Sequence, residues 1–155
     1  MTQRHLTLAT PLGPLRVTAE AGALVAVRFA PQDQQTDTAD DPLLNAAAAQ
    51  FSGYFARQLR HFDLPLAPQG TPFQQRVWAE LVQIPYGHTI TYAQLALQLG
   101  DANLVRAVGA ANGQNPLAIV VPCHRVIGAG GKLVGYAGGL ERKAGLLALE
   151  GSLLV

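Results

Sequence analysis

One cysteine in 155 residues, Cys123, excludes two kinds of architecture at once. An internal disulfide needs two thiols and a cysteine-rich zinc cluster needs more, so the composition suits a reducing compartment and leaves a single thiol to be explained. The four histidines, His5, His61, His88 and His124, share no metal-ligand spacing, and there is no HExxH run, so no metal is expected. No apolar run approaches the roughly 20 residues that span a bilayer, and no basic stretch with an apolar core opens the chain. A soluble, cytoplasmic protein without a membrane partner is therefore expected. Internal repeats and low-complexity tracts are missing too. The formal charge is only +1, yet residues 1–69 hold five basic against six acidic side chains, and residues 70–155 hold six against four. The second part is mildly cationic, which fits transient engagement of a polyanion through few phosphate contacts.

What is present reads as two lobes, 1–69 and 70–155. Residues 5–10, 14–20 and 23–30 alternate apolar with polar side chains or carry Val-rich runs, separated by Pro-Leu-Gly and Ala-Gly turn chemistry, which predicts an antiparallel meander of three strands. Residues 31–41 are polar and acidic and read as a loop. Asp41 before Pro42 signals a helix running to about Arg60, with Leu43, Leu44, Ala47, Phe51, Tyr54 and Phe55 on one face. A short strand is expected over 62–66, and 67–70 reads as a linker. Thr71-Pro72 then caps a helix to about Val82 that buries Phe73, Val77, Trp78 and Leu81. Thr91 caps 92–99, Gly100 ends that helix, and Asn103 is expected to cap another to about Asn112, giving a helix-turn-helix. An apolar run at 117–121, a Gly-rich loop at 128–139 and a closing helix at 140–149 complete the chain. The fold class is α/β (α+β): a small N-terminal lobe with a three-stranded sheet and a helix, then a largely helical C-terminal lobe.

Cys123 sits in Ile119-Val120-Val121-Pro122-Cys123-His124-Arg125-Val126. Taken alone, a cysteine after an apolar run is a small buried hydrophobe. A thiol whose free pKa is about 8.5 becomes a nucleophile when a base and positive charge are near, and His124 and Arg125 offer both.

The motif IVVPCHRVIG, with RAVGAANGQNP before it, FQQRVWAELVQIPYGHTITYAQLA further upstream and GYAGGLERKAGLLALE after it, resembles the O6-alkylguanine-DNA alkyltransferases. The resemblance covers about Phe73 to Glu150 in order and spacing; the N-terminal lobe is similar in pattern and size. It implies DNA repair by direct, irreversible transfer of an alkyl group from O6-alkylguanine, mainly O6-methylguanine, to Cys123, with no cofactor and one turnover. His124 is then the base, acting through a water, and Glu150 the carboxylate that orients and charges the imidazole. Asn115 becomes a hinge tying the recognition helix to the cysteine segment. Tyr92 and Lys143 correspond to residues that help the guanine leave. Without the resemblance, Glu150 and Lys143 read as surface charges, Asn115 as a turn former and Tyr92 as a packed ring.

The same resemblance makes Arg106 the finger that enters the base stack, because an enzyme acting on guanine O6 must extrude the nucleotide. Ala107, Gly109, Ala110 and Ala111 give the following helix small side chains, which suit the minor groove of double-stranded DNA better than a major-groove reading helix. An Ala/Gly face packed on another helix is the structural alternative. Tyr92 and Arg125 are also expected near DNA, and Tyr136, Ala137 and Val126 around the base. Family members commonly carry serine at Ala137 and sometimes proline at Ala118, so the pocket departs from the pattern. A monomer is expected, with cooperativity on DNA left open. Rival readings are a non-catalytic lesion-binding relative, which lacks the acceptor cysteine; a plain helix-turn-helix regulator; and a cysteine hydrolase.

Overall fold

Alternating side chains build the first sheet. In the computed structural model, which describes residues 2–29 and 40–152, strands β1 (Gln3–Leu8), β2 (Leu15–Glu20) and β3 (Ala23–Phe29) pair antiparallel in the order β1-β2-β3. Leu15, Val17 and Ala19 on β2 are fully buried, as a period of two requires. On β3 the buried pair is Leu24 and Val27, three apart. A bulge explains it: Thr18 pairs with Ala26 while Ala19 pairs with Leu24, so the extra residue Val25 returns Val27 to the inner face. The expected three-strand meander is therefore present, with ends shifted by one or two residues. Most of the acidic stretch expected as a loop, residues 31–39, lies outside the described residues.

Helix α1 (Pro42–Phe55) opens as expected, with the Asp41 carboxylate accepting from Leu44 N at 3.1 Å. It lays Leu44, Ala47, Phe51 and Tyr54 on β1 and β2. Its end corrects the expected boundary near Arg60. Gln58 N and Leu59 N both bond to the Gly53 carbonyl, at 2.8 and 3.1 Å, and Arg57 turns to φ +60°, so the helix stops at Phe55. The strand expected over 62–66 is also corrected to a single bridge between Leu24 and Leu66, held by Leu24 N to Pro65 O and Ala67 N to Leu24 O, both 2.8 Å. Pro65 and Pro68 have no N–H, so no longer ladder can form there. Phe62 instead packs on Phe51 and Tyr54, with ring centroids 5.1 and 5.5 Å away. These elements make one compact unit, Met1–Gln69.

The second unit, Gly70–Val155, is held by short helices with strong starts. Helices α2 (Pro72–Val82) and α3 (Tyr92–Gln98) each open with a capping box, Thr71 with Gln74 and Thr91 with Gln94. Gly100, at φ +104°, lets the chain turn out of α3. Helix α4 (Val105–Gly113) follows a 3-10 turn over Ala102–Leu104. Asn103 is not its cap: the Asp101 carboxylate accepts from Asn103 N at 2.9 Å, so the turn forms one residue pair earlier than the sequence suggests. α4 packs between α2 and α3, and Trp78 donates to Ala111 O at 2.9 Å. Two-residue strands β4 (Ile90–Thr91) and β5 (Val126–Ile127) pair in parallel, bringing the start of α3 beside the chain that leaves Arg125. Helix α5 (Leu140–Leu149) closes the unit against the cysteine turn.

Candidate active site

Cys123 begins a 3-10 turn, Cys123–Arg125, just after Pro122, and is 6% exposed. The segment before it is clamped by one side chain. Asn115 donates through Nδ2 to Val121 O at 2.8 Å and Leu117 O at 3.4 Å, and its Oδ1 accepts from Leu117 N at 3.0 Å. Inside this clamp Ile119, buried, adopts φ +73°. A β-branched residue there carries strain of about 1–3 kcal/mol, and its buried side chain together with the clamp holds it in place.

His124 is fully buried, and its Nε2 lies 2.8 Å from Glu150 Oε2. Glu150 also accepts from Arg125, Nε to Oε1 at 2.8 Å and Nη2 to Oε2 at 3.0 Å, while Arg125 Nη1 donates to Ile84 O at 2.7 Å. Burial alone would raise the Glu150 pKa; the bonds from His124 and Arg125 outweigh it and hold the carboxyl at about 2. Glu150 follows the last turn of α5, where the helix dipole disfavours an anion, so these partners also offset that penalty. Burial lowers the His124 pKa against the upward pull of Glu150, leaving the resting imidazole neutral. Its other nitrogen, Nδ1, is buried with no hydrogen-bond partner among the described residues.

Burial pushes the Cys123 thiol up, opposed first by the Asn115 amide and then by the Lys143 charge. This corrects the expectation that Arg125 supplies the positive charge: the Arg125 charge is matched by Glu150, and the cation acting on the sulfur is Lys143. Lys143 is fully buried, donates to Val134 O at 2.8 Å and lies 5.7 Å from the Tyr92 ring centroid. Burial brings its pKa down to about 8. Tyr92 donates to the same Val134 carbonyl at 3.1 Å, and burial raises its phenol against the opposing Asn112 carboxamide. Tyr136 is half-buried; burial and then the nearby Cys123 charge push its phenol up, and its hydroxyl is buried without a partner among the described residues.

The exposed face of α4 carries Arg106, Ala107 and Ala110, with Gly109 half-buried; Val108, Ala111 and Asn112 form the inner face. Ala107 and Ala110 are therefore not packed against another helix, whereas Ala111 is. Two expected positions are corrected. Arg125 was expected at the DNA, but its guanidinium is bonded inward to Glu150 and Ile84 and sits 5.7 Å from the Tyr86 ring centroid. Val126 was expected to line the base pocket, but it is fully buried in β5 opposite Ile90. Ala137 is exposed. The sequence reading missed Asn112, which is 1% exposed and whose Nδ2 points at the Cys123 carbonyl, 3.4 Å away. A signal was available: Asn112 falls at i+4 from Val108 on the apolar stripe of α4, and Lys143 and Glu150 fall at i and i+7 on that of α5.

Comparison with known proteins accounts for nearly the whole chain. Residues 4–68 match the family model described as the 6-O-methylguanine DNA methyltransferase ribonuclease-like domain, and residues 72–152 match its DNA binding domain. The methylated-DNA protein-cysteine methyltransferase of Mycobacterium tuberculosis is 47% identical over 152 residues, 96% of this chain and 92% of that protein. The protein of the same name from Methanosarcina acetivorans is 46% identical over 148 residues, covering 92% of this chain and 95% of that one. The crystal structure of Mycobacterium tuberculosis OGT in complex with DNA superposes with a TM-score of 0.86 at 48% identity, covering 96% of this chain and 92% of that one. With both family domains matched in order and relatives near half identity across its length, the chain belongs to the 6-O-methylguanine DNA methyltransferase family.

Proposed function

We propose that this protein repairs DNA by transferring the alkyl group of O6-alkylguanine, chiefly O6-methylguanine, in double-stranded DNA to Cys123 Sγ, once per molecule. The observation that carries this reading is the buried line from Glu150 through His124 Nε2, with His124 Nδ1 left without a partner, in the turn that holds the lone thiol. Nδ1 takes the thiol proton through a water, and Glu150 stabilises the imidazolium that results. The thiolate attacks the alkyl carbon in line; the S–C bond forms as the C–O6 bond breaks, and the electron pair returns to the purine. Tyr92 and Lys143 supply a proton or hydrogen bond to that purine, so the thiol proton is balanced by one gained on guanine. No cofactor enters this balance. The thioether is stable, which makes the reaction irreversible.

Access to O6 requires the nucleotide to leave the duplex. Arg106 at the start of α4 fills the vacated stack, and the exposed small side chains of Ala107, Gly109 and Ala110 support close approach to the minor groove. Tyr136 and Ala137 border the extruded base, and Asn115 keeps the cysteine turn in register with α4. The 1–69 unit is assigned a structural role, and the protein is taken to act as a monomer in the cytoplasm; among the described residues no helix is long and apolar enough to cross a membrane.

The test is to incubate the purified protein with duplex DNA carrying one O6-methylguanine and to weigh it afterwards. The expected result is a gain of one CH2 unit, mapped to Cys123, and none for Cys123→Ala. A gain on another residue, repeated turnover, or lesion binding without any gain would overturn the proposal.

A further inference from the structure

Asn112 is a buried polar side chain that the mechanism above does not use. It is 1% exposed, on the inner face of α4, and its Oδ1 is buried without a hydrogen-bond partner among the described residues. Which end of the carboxamide is oxygen follows from its neighbour: the Cys123 carbonyl, 3.4 Å away, can only accept, so the nitrogen faces it. Neither nearby donor is bonded to it: the Tyr92 hydroxyl gives its one proton to Val134 O at 3.1 Å, and Lys143 Nζ gives one of its three to the same carbonyl at 2.8 Å. A leucine or alanine would bury more favourably at an inner helical position, so an orphaned acceptor there marks a place where a donor arrives.

The substrate has one donor of the right kind. Alkylation at O6 fixes the purine in the form without a proton on N1, and N3 and N7 are acceptors, so the exocyclic 2-amino group holds the only N–H of the base. We infer that Asn112 Oδ1 accepts a hydrogen bond from that 2-amino group, which makes Asn112 a residue that selects alkylated guanine over alkylated bases lacking the amine. The inference rests on the alkyl-transfer reading proposed above. It also implies discrimination against O4-methylthymine, whose ring nitrogen has likewise lost its proton and which offers no donor in place of the amine.

The experiment compares second-order rates of methyl transfer to Cys123 from two duplexes of one sequence, carrying O6-methylguanine or O6-methylhypoxanthine, which differ only in the 2-amino group. Wild-type protein is expected to favour the guanine by about tenfold, as sites built around a hydrogen bond reject analogues that leave it unmade. In Asn112→Leu, an apolar replacement that suits a buried helix face, the preference is expected to shrink at least threefold. Asn112→Ala gives a second measure should Leu perturb packing, and melting temperature with iodoacetamide labelling of Cys123 checks that each variant is folded. Variants that lose rate equally on both duplexes, keeping the wild-type ratio, would show Asn112 to be only a packing or positioning group and overturn the inference. Wild-type protein that methylates from neither duplex would instead sink the alkyl-transfer reading, and this inference with it.

Discussion

Replacing Arg125 with methionine tests how the candidate site is held together. The guanidinium makes two bonds to Glu150, at 2.8 and 3.0 Å, and one to Ile84 O at 2.7 Å, and the Glu150 side chain is fully buried. Methionine fills similar volume but takes both guanidinium bonds away from the carboxylate. Removing one partner of a buried pair costs about 3–5 kcal/mol. In a domain of this size that lowers the melting temperature by more than about ten degrees. A second signature separates stranded charge from lost packing. The Glu150 carboxyl, held at about 2 partly by Arg125, is expected to rise, and the His124 imidazole, which the Arg125 charge pushes down, is expected to rise with it. Adding Glu150→Leu to Arg125→Met removes the stranded charge, so the double variant is expected to recover at least half of the lost stability. Thermal unfolding followed by circular dichroism at pH 7 and pH 5 reads wild type, the two single variants and the double variant. A single variant melting within two degrees of wild type, or a double variant as unstable as the sum of its singles, would refute the account.

Lys143 folds with a pKa near 8, below the value of about 10.4 in an unfolded chain. Between those values the unfolded state holds the extra proton, so stability should rise with pH by up to about 3 kcal/mol; denaturant unfolding at pH 7, 9 and 10.5 should show the rise in wild type and its loss in Lys143→Met. Glu150 has the same sign in an acid window: its folded pKa of about 2 lies below its ordinary 4.5, so its contribution of up to about 3 kcal/mol is complete above pH 4.5 and fades toward pH 2. Urea unfolding at pH 6, 4 and 3 should give a shallower acid slope for Glu150→Gln. Ala21, exposed in the β2–β3 turn, has φ +52°, and Ala21→Gly is expected to stabilise the first unit by about 1 kcal/mol, read from its unfolding midpoint. Gly70 lies against Trp78 and Gln74, and a methyl there would run into the indole. Gly70→Ala should therefore cost about 1–3 kcal/mol and alter the tryptophan emission.

The elements legible in the sequence were those with a local cause. Thr71 and Thr91 cap their helices through their own side chains, and Asp41 does the same for α1, so the starts were readable from three or four residues. Helix ends depended on more: α1 stops because the Gly53 carbonyl collects two N–H groups from beyond it, which no window before Arg57 displays. The β4–β5 pair was invisible because two residues have no period, and its partners are 36 positions apart. In the site, Cys123 and His124 were adjacent and visible, and the resemblance supplied Glu150, but the true place of Arg125 required knowing that α5 returns a carboxylate to it. A basic residue beside a nucleophile reads as an activator or a DNA contact; whether its charge is already spent on a carboxylate depends on the tertiary fold. Asn112 failed for a simpler reason, since an asparagine near a helix end is ordinarily a cap or a turn.

The protonation pattern of the site carries a further consequence. With Glu150 ionised against Arg125, a neutral His124 and a thiol pushed up by burial, the resting site keeps its sulfur protonated, and the charge of Lys143 opposes that burial only in part. A protein proposed to act once gains from this arrangement, because a standing thiolate would react with any small electrophile and end its working life without repairing anything. In the proposed reaction the unpartnered His124 Nδ1 is the place where the proton leaves, and the base enters the site before the sulfur is ionised. Burial that would disable a general thiol enzyme here makes the nucleophile conditional on its substrate. The same reasoning accounts for Lys143 inside a fold that its desolvation destabilises: in the proposed reaction its charge favours the thiolate at the moment of attack, whereas the Arg125 charge is already matched by Glu150.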